Sequence, residues 1–184
     1  VDGERIYVKS GMGNLVCFNR ADGTISWSKQ TVELFDAEYH RWGVAESPLV
    51  VDDFVISSPG GKEASVVAFN KFTGDLLWRT EELSEQPSYC SPMAIFTGGR
   101  NIITTMLSES FIGLDASDGR ILWREYEDSY SKEAKDINPV SPYYKDGEIY
   151  ITSGYDDGGV MYELSEDGTS VKPKWTDKTL DVHH

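Results

Sequence analysis

The sequence predicts an all-β protein: a β-propeller of four-stranded antiparallel blades, of which about four are present as part of a ring. Three observations predict it. Tryptophans stand at positions 27, 78, 123 and 175, so successive ones lie 51, 45 and 52 residues apart, a period typical of propeller blades or helical arrays. Short β-branched and aromatic runs alternate with Gly, Asp, Asn and Pro, as strands and turns do. No window has a long helical period, which favours blades.

The first repeat, residues 1–30, is predicted to form an incomplete blade. Val1-Asp2-Gly3 matches a first turn and Ile6-Tyr7-Val8 a second strand, whereas the strand before that turn is missing. We therefore expect an array that is cut at its N-terminal end. In a closed ring, the other end of the chain commonly supplies such a strand.

The next three repeats each have room for four strands. They predict blades over residues 44–80, 88–126 and 138–178, and residues 179–184 are expected to begin a further blade. The strands of the first of these blades are predicted at Pro48–Val51, Phe54–Ser57, Ser65–Phe69 and Asp75–Trp78. Those of the next are Met93–Phe96, Ile102–Thr105, Phe111–Leu114 and Arg120–Trp123. Those of the last are Tyr143–Tyr144, Ile149–Thr152, Val160–Tyr162 and a strand near Trp175.

The residues that recur in each repeat have a structural explanation. An Asn or Asp that accepts hydrogen bonds from turn amides is followed four residues later by a Gly that adopts positive φ; the pairs are Asn19 and Gly23, Asn70 and Gly74, and Asp115 and Gly119. The tryptophan four residues further on is expected to pack between neighbouring sheets, with its N–H bonded to a carbonyl. Four of the five tryptophans are thereby explained, and only Trp42 is left over.

Composition excludes several classes of function. The 184 residues include 31 acidic and 17 basic side chains, a net charge of −14, which argues against binding to nucleic acid or to anionic lipid. No apolar run approaches the roughly 18 residues of a membrane span, so the chain is not expected to span a membrane. Cys17 and Cys90 lie in different blades and in different types of strand, so a bridge between them is not expected.

Candidate functional residues lie on one end of the predicted sheets. The loops between second and third strands and the connections between blades share that end, and they are longer than the hairpins at the other end. The candidates for ligand binding are His40, Arg41, Trp42, Glu46, Tyr89, Cys90, Asn138, Tyr155, His183 and His184. A carboxylate and two imidazoles that converge there could bind a metal or move protons, but a solvated rim is the favoured interpretation, and no metal site is predicted.

The repeat motifs resemble a known family. Ala68-Phe69-Asn70 through Thr73-Gly74 to Trp78, and Leu114-Asp115 through Asp118-Gly119 to Trp123, are similar to the tryptophan-docking repeats of the pyrroloquinoline-quinone-like β-propellers. The Ser-Pro pairs that open successive blades, at Ser47, Ser91 and Ser141, resemble that family too. The resemblance spans the whole chain. It implies a ring of seven or eight blades and an extracytoplasmic location, either periplasmic or associated with the envelope.

The resemblance leaves the question of catalysis open, because the family includes quinone dehydrogenases as well as BamB-like assembly factors. Catalytic members use calcium, a catalytic aspartate, a tryptophan beneath the quinone and, in many cases, adjacent cysteines. No segment here matches the metal ligands or that aspartate. We therefore expect a non-catalytic scaffold without a cofactor, which binds a protein partner or small ligand on its loops. The alternative is a fragment of a quinone-dependent alcohol or sugar dehydrogenase, with pyrroloquinoline quinone (PQQ) and calcium.

Two further expectations concern partners. Four blades do not close a ring of this family, so we expect a natural protein of about twice this length, or self-association of two such chains, because an open array leaves unpaired edges. Aromatic loop residues also leave a carbohydrate-binding module open; these are Tyr39, Trp42, Tyr89, Tyr130 and Tyr155.

Overall fold

The computed structural model describes residues 1–38, 41–81, 83–126, 137–154, 156–180 and 182. The strands form four antiparallel sheets, which are called blades 1 to 4 below. In each blade, strands that are neighbours along the chain are also neighbours in the sheet. The predicted fold, a partial propeller of antiparallel blades, is confirmed.

Each blade has strands of three to seven residues. Blade 1 contains β1 (Arg5–Lys9), β2 (Asn14–Asn19) and β3 (Ile25–Gln30). Blade 2 contains β4 (Leu49–Val51), β5 (Phe54–Ser57), β6 (Val67–Asn70) and β7 (Leu76–Arg79). Blade 3 contains β8 (Met93–Thr97), β9 (Arg100–Met106), β10 (Ser110–Asp115) and β11 (Ile121–Tyr126). Blade 4 contains β12 (Tyr143–Lys145), β13 (Glu148–Ser153), β14 (Gly158–Leu164) and β15 (Val171–Asp177).

A short helix interrupts the all-β pattern at α1 (Thr31–Leu34), directly after β3. Tertiary contacts hold it, since no side chain caps its N-terminus. The Thr31 N–H and hydroxyl both donate to the Gly13 carbonyl, at 3.0 and 2.8 Å, and Val32 packs so closely on Gly13 that an added Cβ would lie 2.4 Å from its methyl group. Such contacts leave no periodic pattern in the sequence. No helix in the described part of the chain is long and apolar enough to cross a membrane.

The hydrophobic cores lie between the blades. One core joins Leu15 and Trp27 of blade 1 to Val55 and Phe69 of blade 2. A second is built from residues of blades 2 and 3, and a third from residues of blades 3 and 4. Because each sheet supplies side chains to the sheet beside it, a blade is stabilised by its neighbours.

Tryptophans join two of the three blade pairs in the predicted way. Trp27 donates its indole N–H to the Lys71 carbonyl of blade 2 at 3.1 Å. Trp78 donates to the Ala116 carbonyl of blade 3 at 2.9 Å. Each acceptor directly follows the Asn or Asp of the turn, and the turn glycine beside it lies under the indole ring.

Trp123 departs from this arrangement. Its ring covers Gly113 of its own blade and lies 4.7 Å from the Phe111 ring, measured between centroids. Its buried indole N–H has no hydrogen-bond partner among the described residues. The turn of blade 4 explains the difference: Ser165 precedes Gly168 by three residues and closes a tighter turn, with Gly168 N–H donating to the Ser165 carbonyl at 2.8 Å.

Candidate functional site

The connections between blades and the loops between the second and third strands lie at one end of the sheets, which we call the loop face. It comprises residues 10–13, 31–38, 41–48, 58–66, 80–81, 83–92, 107–109, 137–142, 154 and 156–157. Loops and interblade connections hydrogen-bond to each other there. The Val44 N–H donates to the Gly11 carbonyl at 2.9 Å, and the Ser108 N–H donates to the Gln86 carbonyl at 2.9 Å.

Glu46 is a buried carboxylate at the start of blade 2. Its Oε1 atom accepts from Lys9 Nζ at 2.5 Å, from Ser57 Oγ at 2.8 Å and from the Ser58 N–H at 2.7 Å. Lys9 Nζ also donates to the Ser58 carbonyl at 3.3 Å. The other oxygen, Oε2, has no partner among the described residues. The ion pair between Lys9 and Glu46 links β1 to the connection that leads into blade 2. The Glu46 carboxylate therefore has a structural role.

Cys90 occupies the same position at the start of blade 3. Its thiol lies in the core between blades 3 and 4, 3.4 Å from both the Thr105 hydroxyl and the Met106 carbonyl. Burial raises the pKa of the thiol to about 11. Only the thiolate form of a cysteine acts as a nucleophile or a metal ligand. A Cys90 thiol that stays protonated is suited to packing in the core instead.

Asn138 and Tyr89 are linked side by side through a parallel β-bridge. Asn138 is fully buried, and its amide group donates to the Ser88 hydroxyl and to the Leu107 carbonyl, each at 3.2 Å. Its Oδ1 atom has no partner among the described residues. Tyr89 has a φ of 71°, a strained value for a residue with a side chain.

Arg41 and Trp42 face solvent, and Trp42 is 62% exposed. The Arg41 guanidinium lies over the Trp42 ring, 5.2 Å from its centroid, and the Trp42 and Tyr89 rings are 6.0 Å apart with an interplanar angle of 58°. Behind Tyr89 is a cavity of about 10 Å³, which has room for at most one water molecule. We call Arg41, Trp42 and Tyr89 the aromatic cluster.

The predicted site residues therefore fall into separate groups. Arg41, Trp42 and Tyr89 come together on the surface, whereas Glu46, Cys90 and Asn138 are buried in contacts between blades. His40, Tyr155, His183 and His184 lie outside the described residues.

Two features of the loop face were missed by the sequence analysis. Buried Glu85 pairs with Arg124 and accepts from the Ser110 hydroxyl at 2.8 Å. Nothing in the spacing of these residues in the sequence indicates that they lie together.

The second feature is a ladder formed by the Ser-Pro pairs. The Ser47 N–H donates to Ser91 Oγ at 2.9 Å, and the Ser91 N–H donates to Ser141 Oγ at 3.0 Å. Their recurrence in the sequence was a usable signal for a contact between blades.

The described residues do not fit a calcium and quinone site. They include no group of three or more His, Cys, Asp or Glu side chains that could hold a metal ion. The buried carboxylate at the start of blade 2, Glu46, has the Lys9 ammonium against it, and a second cation beside that ammonium would be repelled. Neither cysteine lies next to another.

Comparisons with known proteins are consistent with the geometry. A family model described as outer membrane protein assembly factor BamB matches residues 1–178. No curated protein matches the chain. BamB from Moraxella catarrhalis is similar in structure, with a TM-score of 0.63 and 14% identity over 95% of this chain and 46% of that one.

Enzymes share the same architecture. The quinohemoprotein alcohol dehydrogenase from Comamonas testosteroni has a TM-score of 0.66 and 14% identity, over 95% of this chain and 33% of that one. A europium-containing methanol dehydrogenase has a TM-score of 0.61 and 11% identity, over 93% of this chain and 39% of that one. The chain thus spans less than half the length of these solved structures, and at such identities the likeness shows the fold alone.

Proposed function

The chain belongs to the family of the outer membrane protein assembly factor BamB, and we propose that it acts as a non-catalytic scaffold that binds a protein partner or small ligand through its loop face. We place it outside the cytoplasm, in the periplasm or at the envelope, because the family description names an outer membrane assembly factor. In this proposal the chain needs no cofactor.

One contrast on the loop face carries the proposal. Of the candidate residues that the structure describes, the two suited to acid–base or nucleophilic chemistry are buried in contacts within the chain: Glu46 pairs with Lys9, and burial favours the protonated form of the Cys90 thiol. Arg41 and Trp42 instead face solvent. Trp, Tyr and Arg dominate the binding energy of protein interfaces, so this surface is better suited to holding a partner than to transforming a substrate.

A photo-crosslinking amino acid at position 42 tests this proposal in envelope extracts of cells that carry the gene. The matched control is position 72, because Phe72 is an exposed aromatic residue in the β6–β7 turn at the opposite end of the sheets. We expect position 42 to crosslink to a small set of proteins that position 72 does not reach. Equal crosslinking from both positions, or none from position 42, would contradict binding through the loop face.

The dehydrogenase alternative is tested by adding the quinone and calcium. We expect neither a rise in melting temperature nor dye-linked oxidation of alcohols or sugars on addition of PQQ and Ca²⁺. A marked rise in melting temperature together with oxidation would replace the scaffold proposal by a quinone-dependent dehydrogenase.

A further inference from the structure

The aromatic cluster has the chemistry of a docking point. We propose that Arg41, Trp42 and Tyr89 bind an extended segment of a partner protein that places a carboxylate against Arg41 and a neighbouring apolar side chain against Trp42 and Tyr89. This inference rests on the proposed function, because it assigns the chemistry of the partner that the loop face would hold.

Within the cluster, the Arg41 guanidinium is the group that favours a carboxylate. Other cations of the described residues pair with carboxylates carried by the loops of this face, among them Lys9 with Glu46, Lys62 with Asp36, Arg79 with Glu63 and Arg124 with Glu85. Arg41 pairs with no carboxylate in the part of the chain that the structure describes, and lies over the Trp42 ring instead. A guanidinium that is exposed and stacked keeps its donors free for a bidentate bond to a carboxylate.

The shape of the cluster favours an apolar side chain beside that carboxylate. The Trp42 and Tyr89 rings pack against each other at 58°, and the Arg41 guanidinium lies over the Trp42 ring, yet Trp42 stays mostly exposed. A pyranose ring stacks best on a flat, uncovered aromatic face, whereas an apolar side chain can pack on the exposed part of a ring that is already partly covered. The geometry therefore favours a protein segment over a carbohydrate.

The backbone that carries Tyr89 is held in place. Tyr89 has a φ of 71°, and its backbone pairs with that of fully buried Asn138. Backbone strain of this kind persists only where the surrounding structure imposes it. A backbone fixed before binding loses little conformational entropy when the partner arrives.

The experiment is a selection of twelve-residue peptides from a random library against the whole chain, followed by affinity measurements on Arg41→Gln, Arg41→Glu, Trp42→Ala and the control Lys62→Gln. Lys62 is an exposed loop-face cation that already has a carboxylate partner. We expect enriched peptides to carry Asp or Glu next to Leu, Phe or Tyr. Arg41→Gln and Trp42→Ala should each weaken binding roughly thirtyfold, the loss that marks an interface hot spot, and Lys62→Gln should leave it unchanged.

Charge reversal supplies the sharper readout. With Arg41→Glu, selection should shift to peptides that carry Lys or Arg at the acidic position. Peptides without an acidic residue, a carbohydrate preference on a glycan array, or binding insensitive to Arg41 would overturn the inference. Partner crosslinking at position 42 would still stand in those cases, so failure of this inference and failure of the proposed function can be told apart.

Discussion

At the scale of single residues, a turn glycine and the tryptophan of the preceding blade act as a pair. Gly119 has a φ of 75° and supports the Trp78 ring: a Cβ added there would lie 2.4 Å from ring atom Cε3. Gly23 has nearly the same φ, 73°, but nothing lies within 4 Å of its added Cβ. Gly119 is thus required both for its positive φ and for its lack of a side chain, whereas Gly23 is required for its positive φ alone.

This difference predicts unequal costs for one substitution at two sites. Gly23→Ala should lower the free energy of unfolding by about 1 kcal/mol, because the alanine must adopt the left-handed region. Gly119→Ala should cost about 1–3 kcal/mol more, because it also displaces the indole ring. Urea denaturation of both variants measures the difference, and equal midpoints would show that Trp78 does not rest on this glycine.

The sequence could predict these pairs wherever the motif is complete. Trp27 and Trp78 dock as expected because Asn70 and Asp115 open the turns that present the accepting carbonyls. In the fourth copy Leu164 stands at that position, and Trp123 turns back over Gly113. A tryptophan at the right spacing does not by itself predict docking, since the partner turn lies in the next repeat.

At the scale of elements, buried polar contacts tie strands to the connections between blades. Lys9 at the end of β1 and Glu46 before β4 are 37 positions apart in the chain, and both side chains are almost completely buried. The sequence indicated Glu46 only as a candidate for ligand binding at the loop end of the sheets. Its partner could not be predicted, because the pairing depends on how blade 1 packs against blade 2.

Removal of the ammonium from this pair should be costly. Lys9→Met keeps much of the aliphatic stem but leaves the Glu46 carboxylate buried without its cation, so we expect a loss of about 3 kcal/mol or more in unfolding free energy. Lys62→Met breaks the exposed pair with Asp36 and should cost less than about 1 kcal/mol. Urea denaturation compares the two, and similar small losses would mean that the Glu46 pair contributes little.

At the scale of the whole molecule, stability is shared between neighbouring blades. The core between blades 3 and 4 contains Cys90, Phe111, Ile149 and Tyr162. The chain offers an apolar surface beyond blade 4, where Tyr143, Trp175 and Leu180 are exposed. That further blades or a second copy cover this surface stays a prediction. Sedimentation of the chain tests the second copy, and a stable, soluble monomer would count against it.

Alkaline pH should weaken this shared core. The pKa of the Cys90 thiol is raised from 9.0 to about 11 by burial, so the folded state favours the protonated form. The stabilising contribution is complete below pH 9 and is lost as the pH rises towards 11. Two pKa units correspond to about 2–3 kcal/mol.

The control for this pH dependence is Cys90→Ala, which has no thiol to titrate. Unfolding free energies from urea titrations at pH 8 to 11 should fall more steeply for the natural chain than for the variant. All other ionisable groups are present in both proteins, so the difference isolates Cys90. Parallel curves would indicate that the thiolate is accommodated in the core.

Because each of the three described cores is made by two consecutive blades, we expect the blades to fold in the order of their synthesis. A blade that has just left the ribosome has one apolar face with no counterpart until the next repeat, 45 to 52 residues later, has been translated. Each repeat then completes the core of the one before it. We therefore expect an uncovered apolar face at the growing end of the nascent chain, and this face moves along the protein as synthesis proceeds.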